Sequence, residues 1–256
     1  MPRRIFVGSA GWAIPRAVAD RFTASGTHLQ RYASVLSCAE INSSFHRPHA
    51  AATYARWADS TPAAFRFAVK VPRTITHEGK LRRARPALDR FLEETSALGH
   101  RRGPLLVQLP PSLAFDRRLV ARFLDLLRSQ YAGTVVCEPR HGTWFSPAAD
   151  ALLVQYRVTR VAADPPPAAG AEQPGGWKGT LYFRMHGTPR KYWSPYTKQS
   201  IEALARKLWD APVSSDAWCV FDNTASGAAL ENAWDLHHLL TRAATERPRS
   251  PADDAG

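Results

Sequence analysis

The sequence predicts an α/β chain folded as a single (β/α)8 barrel of the TIM type. Three observations predict it. Eight short runs rich in β-branched and aromatic residues are spread along 256 residues. Segments with apolar residues three and four apart lie between most of these runs, and seven of the eight end in charged or amide side chains. Strand alternating with helix requires right-handed crossovers and a parallel sheet, and eight units at this length favour a closed barrel over an open doubly wound sheet.

In order, the predicted strands are IFVG (5–8), CAEIN (38–42), FRFAVK (65–70), PLLVQL (104–109), TVVCEPR (134–140), VTRVAAD (158–164), TLYFRMH (180–186) and AWCVFDN (217–223). The helical segments include LQRYASVL, ALDRFLEETSALG, RRLVARFLDLLRSQY, SIEALARKLW and ALENAWDLHHLLTRA. The unit after the sixth strand breaks the pattern, because PPPAAGAEQPGGWKG (165–179) is too rich in proline and glycine for a regular helix. It reads as an irregular loop. One domain is expected over 1–246, with a disordered tail at 247–256.

Composition narrows the function classes. No run of eighteen apolar residues occurs, and the opening MPRRIFVGSAGW turns polar too soon for a secretory signal, so the expected location is the cytoplasm, away from membranes. Cys38, Cys137 and Cys219 are too few and too far apart for a disulfide framework or a CxxC zinc site, and each lies in an apolar run, as a reduced core thiol would. The net charge of +12 suits a small anionic ligand and leaves nucleic acid as a possible partner. The basic loop 72–86, which carries His77, could steer such an anion.

Residues two apart on a strand share a face, and the last inward positions of a parallel barrel point to its C-terminal mouth, where barrel enzymes keep their chemistry. Arg184 and His186 therefore share a face with Tyr182, while Leu181, Phe183 and Met185 face the helices. The same spacing pairs Glu40 with Asn42 and Glu138 with Arg140, and Lys70, Gln108, Asp164 and Asp222 stand at or near the ends of their strands. Isolated, such groups would each cost several kcal/mol to bury, so they must pair with one another or face a wet cleft. Trp12, Trp144, Tyr192 and Trp193 follow strands one, five and seven, where aromatic faces suit a base or a sugar. Gly187, Ser226 and Gly227 lie where barrels often bind phosphate, although a plain helix cap explains Ser226 equally well.

Eight ordered motifs carry a family resemblance: VGSAGW, YASVLSCAEINSSFHRP, RFAVKVPRTITH, GPLLVQLPP, CEPRHGTWF, AAD, YFRMHG and VFDNTASGAALENA. Through them the chain resembles the YecE-like family over roughly residues 5–240. The resemblance implies a TIM-barrel fold. It points to Gly11, Trp12, Glu40, Asn42, Lys70, His77, Gln108, Glu138, Arg140, His141, Trp144, Asp164, Arg184, His186, Gly187, Asn223 and Asn232 as site residues. Three departures stand out: His46 closes a run that usually reads Ser-Thr-Phe-Tyr, Asp222 replaces an asparagine, and SAGW replaces Thr-Ser-Gly-Trp.

Three chemistries remain open on these residues. The leading one is metal-free acid/base catalysis on a small anionic, phosphorylated or sugar-like substrate. In it His186 or Glu138 is the base, Lys70 an electrophile or imine former, Asp164 a further catalytic carboxylate, and Arg140 with Arg184 the anion clamp. It needs no cofactor. The second is a divalent metal held by Glu40, Glu138, Asp164, His186 and Asp222, serving a hydrolase, phosphodiesterase or isomerase. The third is a protein that binds a nucleotide or nucleic acid without catalysis.

Overall fold

The computed structural model describes residues 4–212 and 215–246. Its strands are β1 (Ile5–Ala10), β2 (Cys38–Ile41), β3 (Arg66–Lys70), β4 (Arg102–Gln108), β5 (Val135–Glu138), β6 (Val158–Arg160), β7 (Ala162–Asp164), β8 (Gly175–Gly176), β9 (Thr180–Met185) and β10 (Asp216–Phe221). Every predicted strand is present. The order is β7-β9-β10-β1-β2-β3-β4-β5-β6-β8, and all neighbours are parallel except β6 and β8.

Closure depends on the sixth predicted strand, which is divided at Val161 into β6 and β7. The first half pairs with β5 and the second with β9, so one stretch of chain joins both margins of the sheet. Val161 itself donates its N–H to Cys137 O at 2.8 Å. Counting β6 and β7 as one stave gives the eight of a (β/α)8 barrel. The irregular stretch after it contributes β8, two glycines laid antiparallel on β6.

The helices are α1 (His28–Ala33), α2 (Ser43–His46), α3 (Ala51–Asp59), α4 (Arg85–Ser96), α5 (Arg117–Arg128), α6 (Pro147–Gln155), α7 (Lys198–Trp209) and α8 (Ala228–Glu246). Local chemistry starts several of them. Thr27 and Gln30 form a reciprocal capping box on α1, Asp116 caps α5, and Ser146 caps α6 with Pro147 at its first turn. α5 buries Leu119, Val120, Phe123, Leu124 and Leu127, the single apolar stripe its spacing predicts. α3 has a weaker stripe, burying only Tyr54 and Ala58.

Two apolar cores result. The larger lies between strands and helices; the smaller fills the barrel with Phe6, Cys38, Ala68, Leu106, Val136, Val161, Tyr182, Trp218 and Val220. Trp218 stacks between Phe6 and Tyr182, with ring centroids 4.4 and 6.0 Å away. Cys38, Cys137 and Cys219 are free and buried, as their apolar surroundings predict. No helix among the described residues is long and apolar enough to cross a membrane. The tail expected to be disordered, 247–256, lies outside the described residues.

Candidate functional site

One pleat period beyond the apolar barrel core, six strands change character together. Cys38 gives way to Glu40, Ala68 to Lys70, Leu106 to Gln108, Val136 to Glu138, Tyr182 to Arg184 and Val220 to Asp222. The first residue of each pair packs in the barrel, and the second is buried and polar at the C-terminal mouth. His186 follows directly after β9, one period above Arg184.

Arg184 is the centre of this layer and is 0% exposed. Its Nε and Nη2 donate to Glu40 at 3.0 and 2.5 Å, its Nη1 to Glu138 at 2.7 Å, and its Nη2 also to Asp222 at 3.0 Å. The planar fork of a guanidinium suits this arrangement, since its donors reach several carboxylates at fixed angles. The Tyr182 hydroxyl donates to Glu40 at 2.9 Å. Glu138 is fully satisfied: besides Arg184 it accepts from Gln108 Nε2 at 3.1 Å and lies 2.8 Å from both Arg140 Nη2 and His186 Nε2.

The other ring nitrogen of His186, Nδ1, lies 3.1 Å from Asp222 Oδ2. Both ring nitrogens thus face carboxylate oxygens, and Nε2 also lies 3.4 Å from Arg140 Nη2. Burial opposes ionisation of Glu138, but Arg184, then His186 and Arg140, outweigh it and hold this carboxyl well below the usual range. For Asp222 burial likewise opposes ionisation, and Arg184, His186 and Lys70 together keep its carboxyl low. The same carboxylates overcome burial at Arg184 and hold its guanidinium firmly charged.

Above this paired layer stands a rim of cations with fewer partners. Lys70 is 8% exposed, and its Nζ lies 4.2 Å from the centroid of the Phe45 ring. Among the described residues no carboxylate comes within 4.0 Å of that Nζ, and it makes no hydrogen bond. Burial, then Arg184, lowers the Lys70 ammonium to about 8. Lys191 is likewise lowered to about 8 by burial and then by Arg140. His77 packs edge-on with Phe45, ring centroids 4.9 Å apart, and burial, then Lys70, Arg73 and Arg140, pushes its imidazole down. Arg140 bonds Glu138 and the Tyr192 hydroxyl through Nη2, while its buried Nε has no partner. Asn42 presents a buried, unpartnered Oδ1.

The remaining sequence-predicted residues lie elsewhere. Asp164 points out of the barrel, on the face of Ala162, and accepts from the Tyr196 and Thr188 hydroxyls at 2.8 and 2.6 Å. It borders a separate recess between β7, β9 and α7. Asn232 accepts from Tyr196 N and from Asn223 Nδ2 at 3.1 and 3.0 Å, and Asn223 also donates to Ser194 O. Gly187 donates its N–H to the Tyr196 hydroxyl at 2.9 Å and has φ +93°; a Cβ there would meet Ser194 O at 2.7 Å. Asp164, Gly187, Asn223 and Asn232 therefore clamp the loop 187–197, and this loop lays Tyr192 against His186 with ring centroids 5.3 Å apart.

Two of the predicted aromatic residues pack against the fold. Trp12 packs edge-on against Trp57 and Phe67, and Trp144 is buried with its Nε1 donating to Leu113 O at 2.9 Å. His141 caps a short helical turn through Thr143 N. The expected phosphate cradle is used internally, since the Ser226 hydroxyl donates to Trp193 O and accepts from Ala228 N. The basic loop divides: His77 faces the mouth, whereas Arg82, Arg83 and Arg85 line a different groove with Arg122 of α5. Among the described residues, no three His, Cys, Asp or Glu side chains are grouped to hold a metal. The carboxylates of the suggested set hydrogen-bond to arginine, histidine, glutamine and tyrosine instead, and Asp164 is apart from them.

Sequence reasoning missed Phe45, Lys191 and Tyr196, which lie in short or irregular segments without a strand period to place them. Spacing after strand seven signalled Tyr192 but not the positive φ of +65° that turns it toward the mouth.

Comparison with known proteins agrees with this architecture. A sequence model of the family described as "Protein of unknown function DUF72" matches residues 6–255. The UPF0759 protein YecE of Escherichia coli (strain K12) is 31% identical over 174 residues, a span of 65% of this chain and 61% of YecE, under two thirds of that relative's length. Crystal structures of DUF72 family proteins from Enterococcus faecalis and Thermotoga maritima superpose with TM-scores of 0.76 and 0.75 at 20% and 21% identity. Each covers 93% of this chain, and the matches span 95% and 100% of those chains. The barrel with its charged mouth thus belongs to a member of the DUF72 family.

Proposed function

We infer that the protein is an enzyme using acid/base chemistry, without a metal, on a small anionic substrate of phosphorylated or sugar-like character. One observation carries this reading. A buried layer in which Glu40, Glu138, Asp222, Arg184 and His186 satisfy one another lies beneath a rim where Lys70 has no carboxylate partner and Arg140, paired to Glu138 through Nη2, leaves its buried Nε without an acceptor. A purely structural ion-pair network would pair these groups as well, because an unpartnered buried charge is costly. Anion binding would supply the missing partner.

In this reading Arg140, Lys70 and Lys191 hold the anion. Glu138, buried and 2.8 Å from His186 Nε2, holds Arg140 Nη2 at 2.8 Å from below. Lys70 and His77 exchange protons with the substrate, since burial and neighbouring cations bring both toward the free base at physiological pH. The engagement of the carboxylates supports chemistry run by these side chains, because most of their oxygens already accept hydrogen bonds.

The test is a thermal-shift and calorimetric panel of inorganic phosphate, sulfate and simple sugar phosphates. A ligand that binds only the folded chain raises its stability by RT ln(1 + [L]/Kd), so millimolar binders are visible. The midpoint is expected to rise with phosphate or a sugar phosphate and not to rise in Arg140→Met. If no small anion shifts the wild-type midpoint, the reading fails. A nucleotide or nucleic acid is the second reading, favoured by Tyr192 and Trp193, 40% and 44% exposed beside Lys191 and Arg190. Binding of an oligonucleotide that collapses steeply with salt would support it, whereas a small anion seated at the mouth keeps its affinity better.

A further inference from the structure

We propose that Lys70 is a covalent residue, whose ε-amine adds to the carbonyl carbon of a small anionic aldehyde or ketone and forms an imine at the barrel mouth. This rests on the reading of the mouth as an anion site and adds the reactive group its substrate must carry.

The choice of lysine at this position is the first argument. The chain has six lysines against 28 arginines, so its composition strongly favours arginine wherever only a positive charge is needed. Arginine cannot lose its proton in a protein, whereas lysine can. Lys80, Lys178, Lys198 and Lys207 are exposed or half-buried, and Lys70 alone is buried on a barrel strand.

Geometry is the second. Arg184 and Arg140 are tied to carboxylates, but the Lys70 amine lies over the Phe45 face with no carboxylate within 4.0 Å among the described residues. Beyond loss of its proton, no ion pair or hydrogen bond has to be broken before its lone pair can attack. Burial and Arg184 lower it to about 8, which leaves a reactive share of free amine near neutral pH. Arg140 and Lys191 stand at the same mouth to seat the anionic end of the substrate.

The step balances without a further reagent. The Nζ lone pair forms a C–N bond while the carbonyl π pair moves to oxygen, which takes up a proton as Nζ loses one, giving a carbinolamine. The nitrogen lone pair then expels the hydroxyl, which leaves as water with one added proton. Amine, carbonyl and one proton become iminium and water. His77, packed on the same Phe45 ring, is placed to relay these protons. The iminium draws electrons from a bond next to the former carbonyl carbon, and Glu40, Glu138 and Asp222 below favour a cation at this nitrogen, as they do for the ammonium.

The test is reductive trapping on the full chain. Glyoxylate, a small anionic aldehyde, and dihydroxyacetone phosphate, a phosphorylated ketone, are each added at limiting concentration with cyanoborohydride. Peptide mass mapping then compares all six lysines. Lys70 is expected to be labelled at least about tenfold faster than exposed Lys198 at neutral pH, since lowering an ammonium from its ordinary 10.5 to about 8 multiplies the free amine by more than about a hundredfold and lower basicity takes back part of that gain. Its rate should level off above about pH 8, and inorganic phosphate should slow it. Lys70→Arg should erase the label while melting cooperatively.

Label spread evenly over the lysines, concentrated on Lys191 or an exposed lysine, or absent altogether overturns the proposal. Phosphate binding to the wild-type chain is measured alongside. If phosphate binds and Lys70 is not trapped, the anion site stands and the imine falls; if neither occurs, both fall. The decisive readout is on the wild-type chain, so a poorly folding variant cannot obscure the result.

Discussion

The floor and the mouth of this barrel are built on the same strands, one pleat period apart, and are held together by opposite physics. On the floor, Phe6, Trp218, Leu106 and Val136 fill space with apolar surface. Burying each large side chain there contributes about 1.5–3 kcal/mol, with little dependence on pH. At the mouth the same volume holds Glu40, Glu138, Asp222, Arg184 and His186, which stabilise the fold only as a complete set. Desolvating such charges offsets most of their attraction, so an apolar layer would serve stability as well or better. The floor keeps the barrel standing; the mouth adds little net stability that an apolar layer would not supply.

The contrast breaks most sharply at Arg184. Arg184→Met leaves three buried carboxylates without their shared partner and should cost about 3–5 kcal/mol. At about 2–4 °C per kcal/mol for a chain of this size, the melting temperature should fall by roughly 10 °C or more. A melt within a degree or two of wild type would show that the mouth is not an ionised network. Next in size, Leu106→Ala opens a cavity in the floor and should cost about 2–5 kcal/mol by denaturant titration. Phosphate affinity measured by calorimetry should change far less than stability, because the Leu106 side chain belongs to the apolar cluster of the floor.

Acid sharpens the comparison. Glu138 and Asp222 have carboxyls held lower in the folded than in the unfolded chain. The stability they contribute is fully present above the unfolded carboxylate range, about pH 4, and is lost as pH falls through the lower folded values. Denaturant midpoints measured from pH 6 downward should therefore fall steeply below pH 4 in wild type. Leu106→Ala should follow a parallel curve, whereas Glu138→Gln should show a flatter one. Equal slopes in all three would mean that neither region's charge matters to folding.

The smallest effect belongs to the loop clamp. Asn232→Ala removes the acceptor of Tyr196 N and Asn223 Nδ2 and should cost about 1–2 kcal/mol. Its clearer sign is faster proteolysis within 187–197 and weaker phosphate binding, because Tyr192 loses its seat against Arg140 and His186. An unchanged cleavage rate would separate the loop from the mouth.

Much of this was legible beforehand, and the failures have physical causes. Period-two alternation placed Glu40, Lys70, Gln108, Glu138, Arg184, His186 and Asp222 at the mouth correctly, because a strand allows each side chain only two faces. Asp164 was assigned by its place at a strand end, but it shares parity with Val158 and Ala162, which pack on helices, so it faces away. Trp12 and Trp144 lie in connecting segments, where no period exists and packing against Trp57, Phe67 and Phe115 decides their direction.

The sequence by itself determined the order of strands and helices, the caps that start several of them, and the faces of the inward residues, since all are set by neighbours a few positions away. Only the tertiary structure decided which charges pair. Glu40 and Arg184 stand 144 positions apart and meet because the barrel closes. Closure itself turns on the break at Val161, which lets one stretch pair with β5 on one side and β9 on the other. Which cations then lack a partner, Lys70 above all, depends on distances of a few ångströms between side chains from six strands, and no local pattern encodes those distances.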